Sequence, residues 1–559
     1  MENINRSTDI SQNLTKLNDN EKLKAESHYL RGTIKQGLEE TSTRALPGLD
    51  PLLLKFHGIY QQDNRDERIT RAERKLEPNY QFMVRLRLPG GKCTERQWRG
   101  LSKIADRFGE GSLRITTRQT LQIHGVRKPK LKLCIQALET LGIDTIAACG
   151  DDNRGVVCGI NPALSGLHQE VLSTAGDIST FLTPKTSAYP DIWYDRHINN
   201  VEEEPFYGSL YLPRKFKIGF AIPPLNDIDI FAQDLGFIAI ADGKKLIGFN
   251  VCVGGGMGQL DNRDDSYPRI ANLIGFIDKK DVQRLSEAVV SIQRDYGDRV
   301  DRHRARFKYT LDRLGIPWFL EMLTQRFGKQ LKPAKPYHFD TSGDQFGWHQ
   351  GDDQLWHLCL HIPNGRITSP LKDRLEGFFQ QFGGGIRFTA NQNLTLTNID
   401  SAEKPQIEWR LSDLLLDHLL DPRLQQVHSL ACVGFPTCGL AMAESERYLP
   451  QFLKSFEQLK EKHGLEYLPI KLRITGCPNG CARPYLAEVA LTGRSPGKYN
   501  LYLGGGFYGQ RLNKLYRSNL KENEIFDILD CMMARYKEEA ENNEAFGDFL
   551  NRIEISDIN

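Results

Sequence analysis

A chain of 559 residues is too long for one hydrophobic core, which stops growing at roughly 250–300 residues, so about two to four domains are expected. Hydrophobic content of 40%, charged content of 26% and a formal net charge of +2 describe an ordinary globular protein and argue against a general nucleic-acid binder, so any basic site must be local. The sequence has no run of about 18 apolar residues, and the N-terminus MENINRSTDISQNLTKLNDNEKLKAE resembles neither a secretory signal nor a transit peptide. The expected location is the cytoplasm, where thiols stay reduced. There, clustered cysteines read as metal ligands or redox groups and scattered ones as packing residues.

In chain order, residues 1–50 are polar and rich in Asn, Lys and Glu, a composition that suits a mobile arm. Beyond it, short strand-like runs alternate with helical patterns such as 281–315 and 524–540, which predicts an α/β or α+β fold. Several strands alternate strictly. Arg85 and Arg87 interleave with Val84, Leu86 and Leu88; Gln122 and His124 with Leu121 and Ile123; Lys215 and Lys217 with Phe216 and Ile218; Lys471 and Arg473 with Ile470, Leu472 and Ile474. Period two puts each polar set on one sheet face, and for a single strand a solvated outer face is the ordinary explanation. Here the basic positions recur at duplicated strands, and Lys471–Arg473 runs straight into a cysteine loop. If such faces converge they enclose a cavity lined by Arg and Lys, which demands an anionic ligand because unpaired buried charge is costly.

The duplication is visible in four ordered matches. FMVRLRLPGG (82–91) resembles LWHLCLHIPNG (355–365), LRITTRQTLQI (113–123) resembles IRFTANQNLTL (386–396), YLPRKFKIGFA (211–221) resembles YLPIKLRITGC (467–477), and NVCVGGGMG (250–258) resembles NLYLGGGFYG (500–509). This spacing is far longer than a solenoid repeat, so it predicts two related halves around a shared interior.

Only the second half carries a cysteine constellation. ACVGFPTC (431–438) separates Cys432 from Cys438 by five residues, and TGCPNGC (475–481) separates Cys477 from Cys481 by three. Four soft ligands on two loops suit zinc or an iron–sulfur cluster. Structural zinc takes ligands about two to four residues apart within a pair, which the first pair exceeds. Gly476, Pro478, Asn479 and Gly480 let the backbone fold closely round a ligand, with amides able to point at sulfur. Cys158, Cys252 and Cys359 read as packing residues.

The paired motifs ACVGFPTC and TGCPNGC resemble the cluster-binding signature of the sirohaem-dependent sulfite and nitrite reductases. HYLRGTI (28–34), FHGIYQQDNRDER (56–68), KLEP (75–78), RLRLPGG (85–91), YLPRKFK (211–217) and FGDF (546–549) resemble in particular the haemoprotein (beta) subunits of assimilatory NADPH-sulfite reductases. The resemblance implies that Cys432, Cys438, Cys477 and Cys481 hold a [4Fe–4S] cluster, with Cys481 also bridging to the sirohaem iron. It implies that Arg85, Arg154, Lys215 and Lys217 bind sulfite, and that Arg114, Arg118, Gln122 and His124, with Asn391 and Asn479, contact sirohaem.

The implied fold is α/β (α+β), three domains with an internal pseudo-twofold duplication. The divisions are an arm over 1–79 that is partly flexible and docks a partner; a ferredoxin-like domain from 80–146 with 346–420; a first repeat domain over 147–345; and a second, cluster-bearing repeat domain over 421–559. The implied reaction is six-electron reduction of sulfite to sulfide, with electrons from NADPH through a flavoprotein (alpha) subunit carrying FAD and FMN. Ferredoxin is the rival donor, a sirohaem nitrite reductase the rival enzyme, and a zinc-stapled structural or binding protein the rival of another class. GGGFYG (504–509) fits G-x-G-x-x-G after a strand-like run, but its first-half copy GGGMGQ breaks the spacing, so a glycine turn near a cofactor is expected there rather than a dinucleotide site.

Overall fold

The computed structural model describes residues 16–198, 203–261, 263 and 265–553. Four five-stranded sheets carry the architecture, in two matched pairs. The first antiparallel sheet runs Ile59–Asp63, Tyr80–Arg85, Leu121–Val126, Leu113–Ile115 and then Arg366–Ile367, an edge strand from the second half. Its counterpart runs Gly347–Gln350, Trp356–Leu360, Leu394–Ile399, Gly385–Phe388 and then Lys92–Cys93, an edge strand from the first half. Each sheet is completed by the other half.

A helix follows each exchanged strand. In Glu95–Phe108, Thr94 and Gln97 form a reciprocal capping box, and Trp98, Leu101, Ile104, Ala105 and Phe108 make the buried stripe. It packs on Ser369–Phe379, where Trp98 and Phe379 lie 5.2 Å apart between ring centroids and Ser102 Oγ donates to Glu376 Oε2 at 2.7 Å. The buried Lys372 ammonium pairs with Asp106 across the same seam.

The second pair of sheets is Val157–Cys158, Ile218–Ala221, Leu235–Asp242, Lys245–Val253, Asn272–Asp278, and Ser429–Ala431, Leu472–Thr475, Val489–Ser495, Lys498–Leu503, Lys514–Leu520. Both have two parallel pairings followed by two antiparallel ones. Gly243 and Gly497 turn the equivalent hairpins with φ of +59° and +70°. The α/β fold and internal duplication predicted above are thus present in detail. One apolar core spans Leu30 to Leu419 through three of the sheets, and a second, from Ala431 to Leu550, belongs to the last.

The N-terminal segment differs from the expected mobile arm. Residues 1–15 lie outside the described residues, but from Leu17 onward the chain is packed. Asn18 caps helix Asp19–Glu26, and within that helix Glu21 and Lys24 are fully buried. Lys24 Nζ donates to Glu21 Oε1 at 2.6 Å and to Leu212 O at 2.8 Å, and Arg299 pairs with Glu21. Composition could not show this, because the partners of these charges lie far away in the sequence. Strand Ile59–Asp63, also within the expected arm, forms a sheet edge.

The C-terminal helix Phe546–Arg552 is tied to the last sheet by Glu488, whose carboxylate accepts from Lys471 N at 2.8 Å and Gly547 N at 2.7 Å. Burial pushes this carboxyl up to about 7, against the pull of both amides. A raised carboxyl contributes stability that is present below its ordinary value and lost as pH climbs through the folded one. The unfolding midpoint of Glu488→Gln is therefore expected to change less than the parent's between about pH 5 and 8; equal pH slopes in the two proteins would refute this.

Candidate functional site

The cysteine loops leave neighbouring parallel strands. Ser429–Ala431 delivers Cys432, Leu472–Thr475 delivers Gly476 and Cys477, and the Cys432 amide donates to Ile474 O at 3.2 Å. Both loops therefore open at the carboxyl ends of the strands, the edge where open sheets place ligands. Donors already point at sulfur. Cys432 Sγ accepts from Gly476 N at 3.2 Å and Thr475 Oγ1 at 3.4 Å, and Cys477 Sγ accepts from Asn479 Nδ2 at 3.5 Å. Such bonds favour the thiolate that metal ligation needs.

All four thiols share one site. Burial, and after it Cys432 and Cys481, pushes the Cys438 thiol up to about 11, and burial followed by Cys481, Cys432 and Cys438 raises that of Cys477. Among the described residues no three His, Cys, Asp or Glu side chains are close enough to hold one metal ion.

The glycine turns seal this site from both halves. Gln259 N donates to Pro478 O at 3.0 Å, and a Cβ on Gly480, whose φ is +65°, would meet Met257 O at 2.8 Å. The first turn is held by Lys308, whose Nζ donates to Gly258 O at 2.7 Å. Reciprocally, Asn226 Nδ2 donates to Tyr508 O at 2.8 Å in the second turn. GGGFYG leads into strand Lys514–Leu520 rather than a helix, so it lacks the helix N-terminus on which a dinucleotide site depends.

The basic side chains converge beside the thiols. Arg154 Nε and Nη2 donate to Gly150 O at 2.9 and 2.7 Å, which fixes its guanidinium. Arg85 Nη1 donates to Cys149 Sγ at 3.2 Å, and the Gln122 amide, turned to face it, accepts from Arg85 Nε at 3.2 Å and Nη2 at 2.6 Å. Lys217 is pushed down to about 7 by burial and then by Arg118 and Arg306, and Lys215 lies well below its usual value through burial, Arg306 and Lys217; both feel the Cys481 thiol. Arg118 is lowered to about 9 by burial and then Arg154.

Several buried nitrogens in this group have no hydrogen-bond partner, Arg118 Nε, Arg306 Nε and His124 Nδ1, while Arg306 Nη2 has only an ion pair to Asp234 at 3.5 Å. Burial, with Arg366, Arg114 and Arg85 nearby, keeps His124 neutral. Crowded cations and orphan N–H groups fit a ligand bearing several carboxylates together with a small anion.

The remaining predicted residues are placed differently. Arg114 Nε donates to Glu446 Oε2 at 2.8 Å and Nη2 to Ala431 O at 3.3 Å, so Arg114 braces the strand before Cys432. Asn391 Nδ2 donates to Asp227 O and to Asp344 Oδ1, at 2.8 and 2.9 Å, while its Oδ1 accepts from Arg483 Nη2 at 3.1 Å.

Sequence reasoning missed Arg306, Cys149 and, above all, Asp229. Asp229 Oδ2 accepts from both Arg473 Nη1 and Arg483 Nε at 2.5 Å, joining the first half to the two ends of the second cysteine loop. Burial opposes ionisation there, but Arg473 and then Arg483 hold the carboxyl far below its usual range. The only sequence signal is an acid in the polar run NDID, too common to single out. Asp229→Ala strands two buried guanidiniums and is expected to cost about 3–5 kcal/mol, read by denaturant unfolding; a loss under about 1 kcal/mol would show that the pair is not a structural tie.

Two family models match the chain: the nitrite and sulphite reductase 4Fe-4S domain over residues 173–331 and 426–558, and the nitrite/sulfite reductase ferredoxin-like half domain over 74–141 and 349–414. Proteins named sulfite reductase [NADPH] hemoprotein beta-component are similar over nearly the whole length. The one from Nitrobacter winogradskyi is 51% identical over 98% of this chain and 96% of its own, and the one from Staphylococcus saprophyticus is 47% identical over 97% and 96%. The solved structure of Mycobacterium tuberculosis NirA has the same fold, with a TM-score of 0.78 at 23% identity over 97% of this chain and 98% of that one. Both doubled models, each matching once in either half, account for the paired sheets and the paired loops: this chain belongs to the nitrite and sulphite reductase family.

Proposed function

We propose that this chain is the haemoprotein component of an NADPH-dependent assimilatory sulfite reductase, acting in the cytoplasm. The observation that carries this reading is the juxtaposition of four mutually interacting thiols with a crowded group of buried cations that includes donors without a hydrogen-bond partner. The five residues between Cys432 and Cys438, and the match to a 4Fe-4S domain model, favour a polynuclear cluster over zinc. Cys432, Cys438, Cys477 and Cys481 would hold a [4Fe–4S] cluster, with Cys481 shared with sirohaem. Arg118, Gln122 and His124 would hold sirohaem carboxylates, with Arg114, Asn391 and Asn479 contributing through the loops they brace. When bound, this pair supplies the iron at which sulfur is reduced and the store of electrons behind it.

The chain's own residues supply charge, geometry and protons. Arg85, Arg154, Lys215 and Lys217 would lower the cost of bringing a dianion into the cavity. Lys217, depressed to about 7, can hold or release a proton at Nζ near neutral pH, where general acids work best. Sulfite to sulfide takes six electrons and six protons and releases three waters, so proton delivery is required repeatedly. With its only dinucleotide-like motif in a strand-to-strand turn, the chain would take electrons from a flavoprotein alpha subunit carrying FAD and FMN. The proposed division keeps residues 1–79 on the docking side, the ferredoxin-like domain at 80–146 with 346–420, and repeat domains at 147–345 and 421–559.

The visible spectrum and metal content of the purified chain test this first. Chlorin-type bands with about five irons and four acid-labile sulfides per chain are expected; a colourless zinc protein would overturn the reading. Cys481→Ser is expected to lose the cluster and its coupling to haem. Lys217→Ala is expected to keep both groups yet slow sulfite reduction by about a hundredfold, and normal turnover would remove Lys217 from the proton path. Faster turnover of nitrite than of sulfite by the parent would reassign the substrate.

A further inference from the structure

The loop that carries Cys438 reaches the surface. Leu440, two residues on, is 66% exposed. Arg65, from the N-terminal segment, grips this loop: its amide donates to Pro436 O at 3.1 Å, its Nη1 to Gly439 O at 3.1 Å and Ala441 O at 3.4 Å, and its guanidinium lies 4.9 Å over the Phe435 ring. Asp66 adds an ion pair to Arg447 at 2.8 Å. The next turn, helix Arg68–Glu73, has no buried residue, and Ile69 on it is 73% exposed. Residues 65–75, RDERITRAERK, carry five cations against three carboxylates, and although Arg68 pairs with Asp63 just before them, Arg74 and Lys75 are exposed. An apolar and basic patch is thus pinned to the outer edge of the thiol site, although neither the core nor the substrate cavity uses it.

We infer that this surface, carrying Ile69 and Leu440 and rimmed by exposed Arg74 and Lys75, is the docking surface for the electron-donating protein, an acidic flavin-carrying domain. The inference rests on the proposed function, since it takes the four thiols to be the electron entry point. Tunnelling falls off steeply with distance, so a donor must settle close to the thiols, and the loop from half-buried Cys438 to exposed Leu440 brings one of them to this outer surface. A basic rim selects and steers an acidic partner, while exposed apolar side chains at its centre supply the short-range hold that a monomer would otherwise leave wet. Because Arg65 ties the patch to the loop through three backbone carbonyls, a bound donor would sit in fixed register with Cys438.

Two variants of the holoenzyme test it, Ile69→Asp for the apolar centre and Arg74→Glu with Lys75→Glu for the rim. Sulfite reduction is driven in two ways: by dithionite-reduced methyl viologen, a small dye that needs no docking surface, and by NADPH through the alpha component that partners the Nitrobacter winogradskyi protein. Both variants should keep the parent's iron content and dye-driven rate. With the alpha component, the concentration giving half-maximal rate should rise about tenfold, and in the charge variant it should also lose much of its dependence on salt. Unchanged alpha-driven kinetics in both variants would overturn the docking surface while leaving the enzyme reading intact. A change in mass by light scattering without a change in donor kinetics would make the patch a contact between copies and equally overturn it. If the parent fails to reduce sulfite even with the dye, the enzyme reading falls and takes the docking surface with it.

Discussion

The structure depends on the exchange of two short strands. Arg366–Ile367 completes the sheet of the first half and Lys92–Cys93 completes that of the second, so neither antiparallel sheet closes without the other. An unpaired sheet edge is a liability in isolation, and the exchange covers Leu113–Ile115 in one sheet and Gly385–Phe388 in the other with a short strand from the opposite half. It also sets the two halves face to face about a pseudo-twofold axis. The strand faces that carry Arg85, Gln122 and His124 then meet the segments that carry Lys215, Lys217 and Cys481.

That convergence explains the unusual electrostatics of the interior. Two carboxylates act as ties across the halves: Glu446 to Arg114 and Arg366, and Asp229 to Arg473 and Arg483. Each neutralises arginines that frame the cysteine loops. Nearer the cavity the balance is not closed, and burial together with mutual repulsion drives Lys215, Lys217 and Arg118 down in pKa. A protein tolerates such a deficit of negative charge where the missing charge arrives with a ligand.

Much of this was legible in the sequence, because duplication and period-two alternation are strong local signals. The four matched segments map onto equivalent strands and turns, although Lys215 and Lys217, which the alternation places on a strand face, sit in the extended run just before strand Ile218–Ala221. Alternation does not say where a strand ends, however. Arg87 shares its pattern with Arg85 but lies past the strand end, where its Nε donates to Asp144 Oδ1 at 2.7 Å, so one of two similar arginines joins the buried cations and the other makes a half-buried ion pair away from them. Nor can composition reveal ion pairs between distant segments. The packed helix Asp19–Glu26 reads as a solvated arm because Arg299, which neutralises it, lies hundreds of residues away. Asp229 was invisible for the same reason.

The reciprocal glycine turns have a consequence for how this molecule can change. Each turn of one half presses on a loop of the other, with Gly480 against Met257 and Gly509 beside Asn226 and Asp229. The two copies have meanwhile divided their chemistry, the thiols remaining in one and the lysines in the other. Neither copy now holds a full set of groups, and Gly255 and Gly505 leave no room for a Cβ, which would meet Phe231 O and Ala487 O at 2.2 Å. A chain built from two once similar halves has thus become one in which neither half can be shed or exchanged for a second copy of the other.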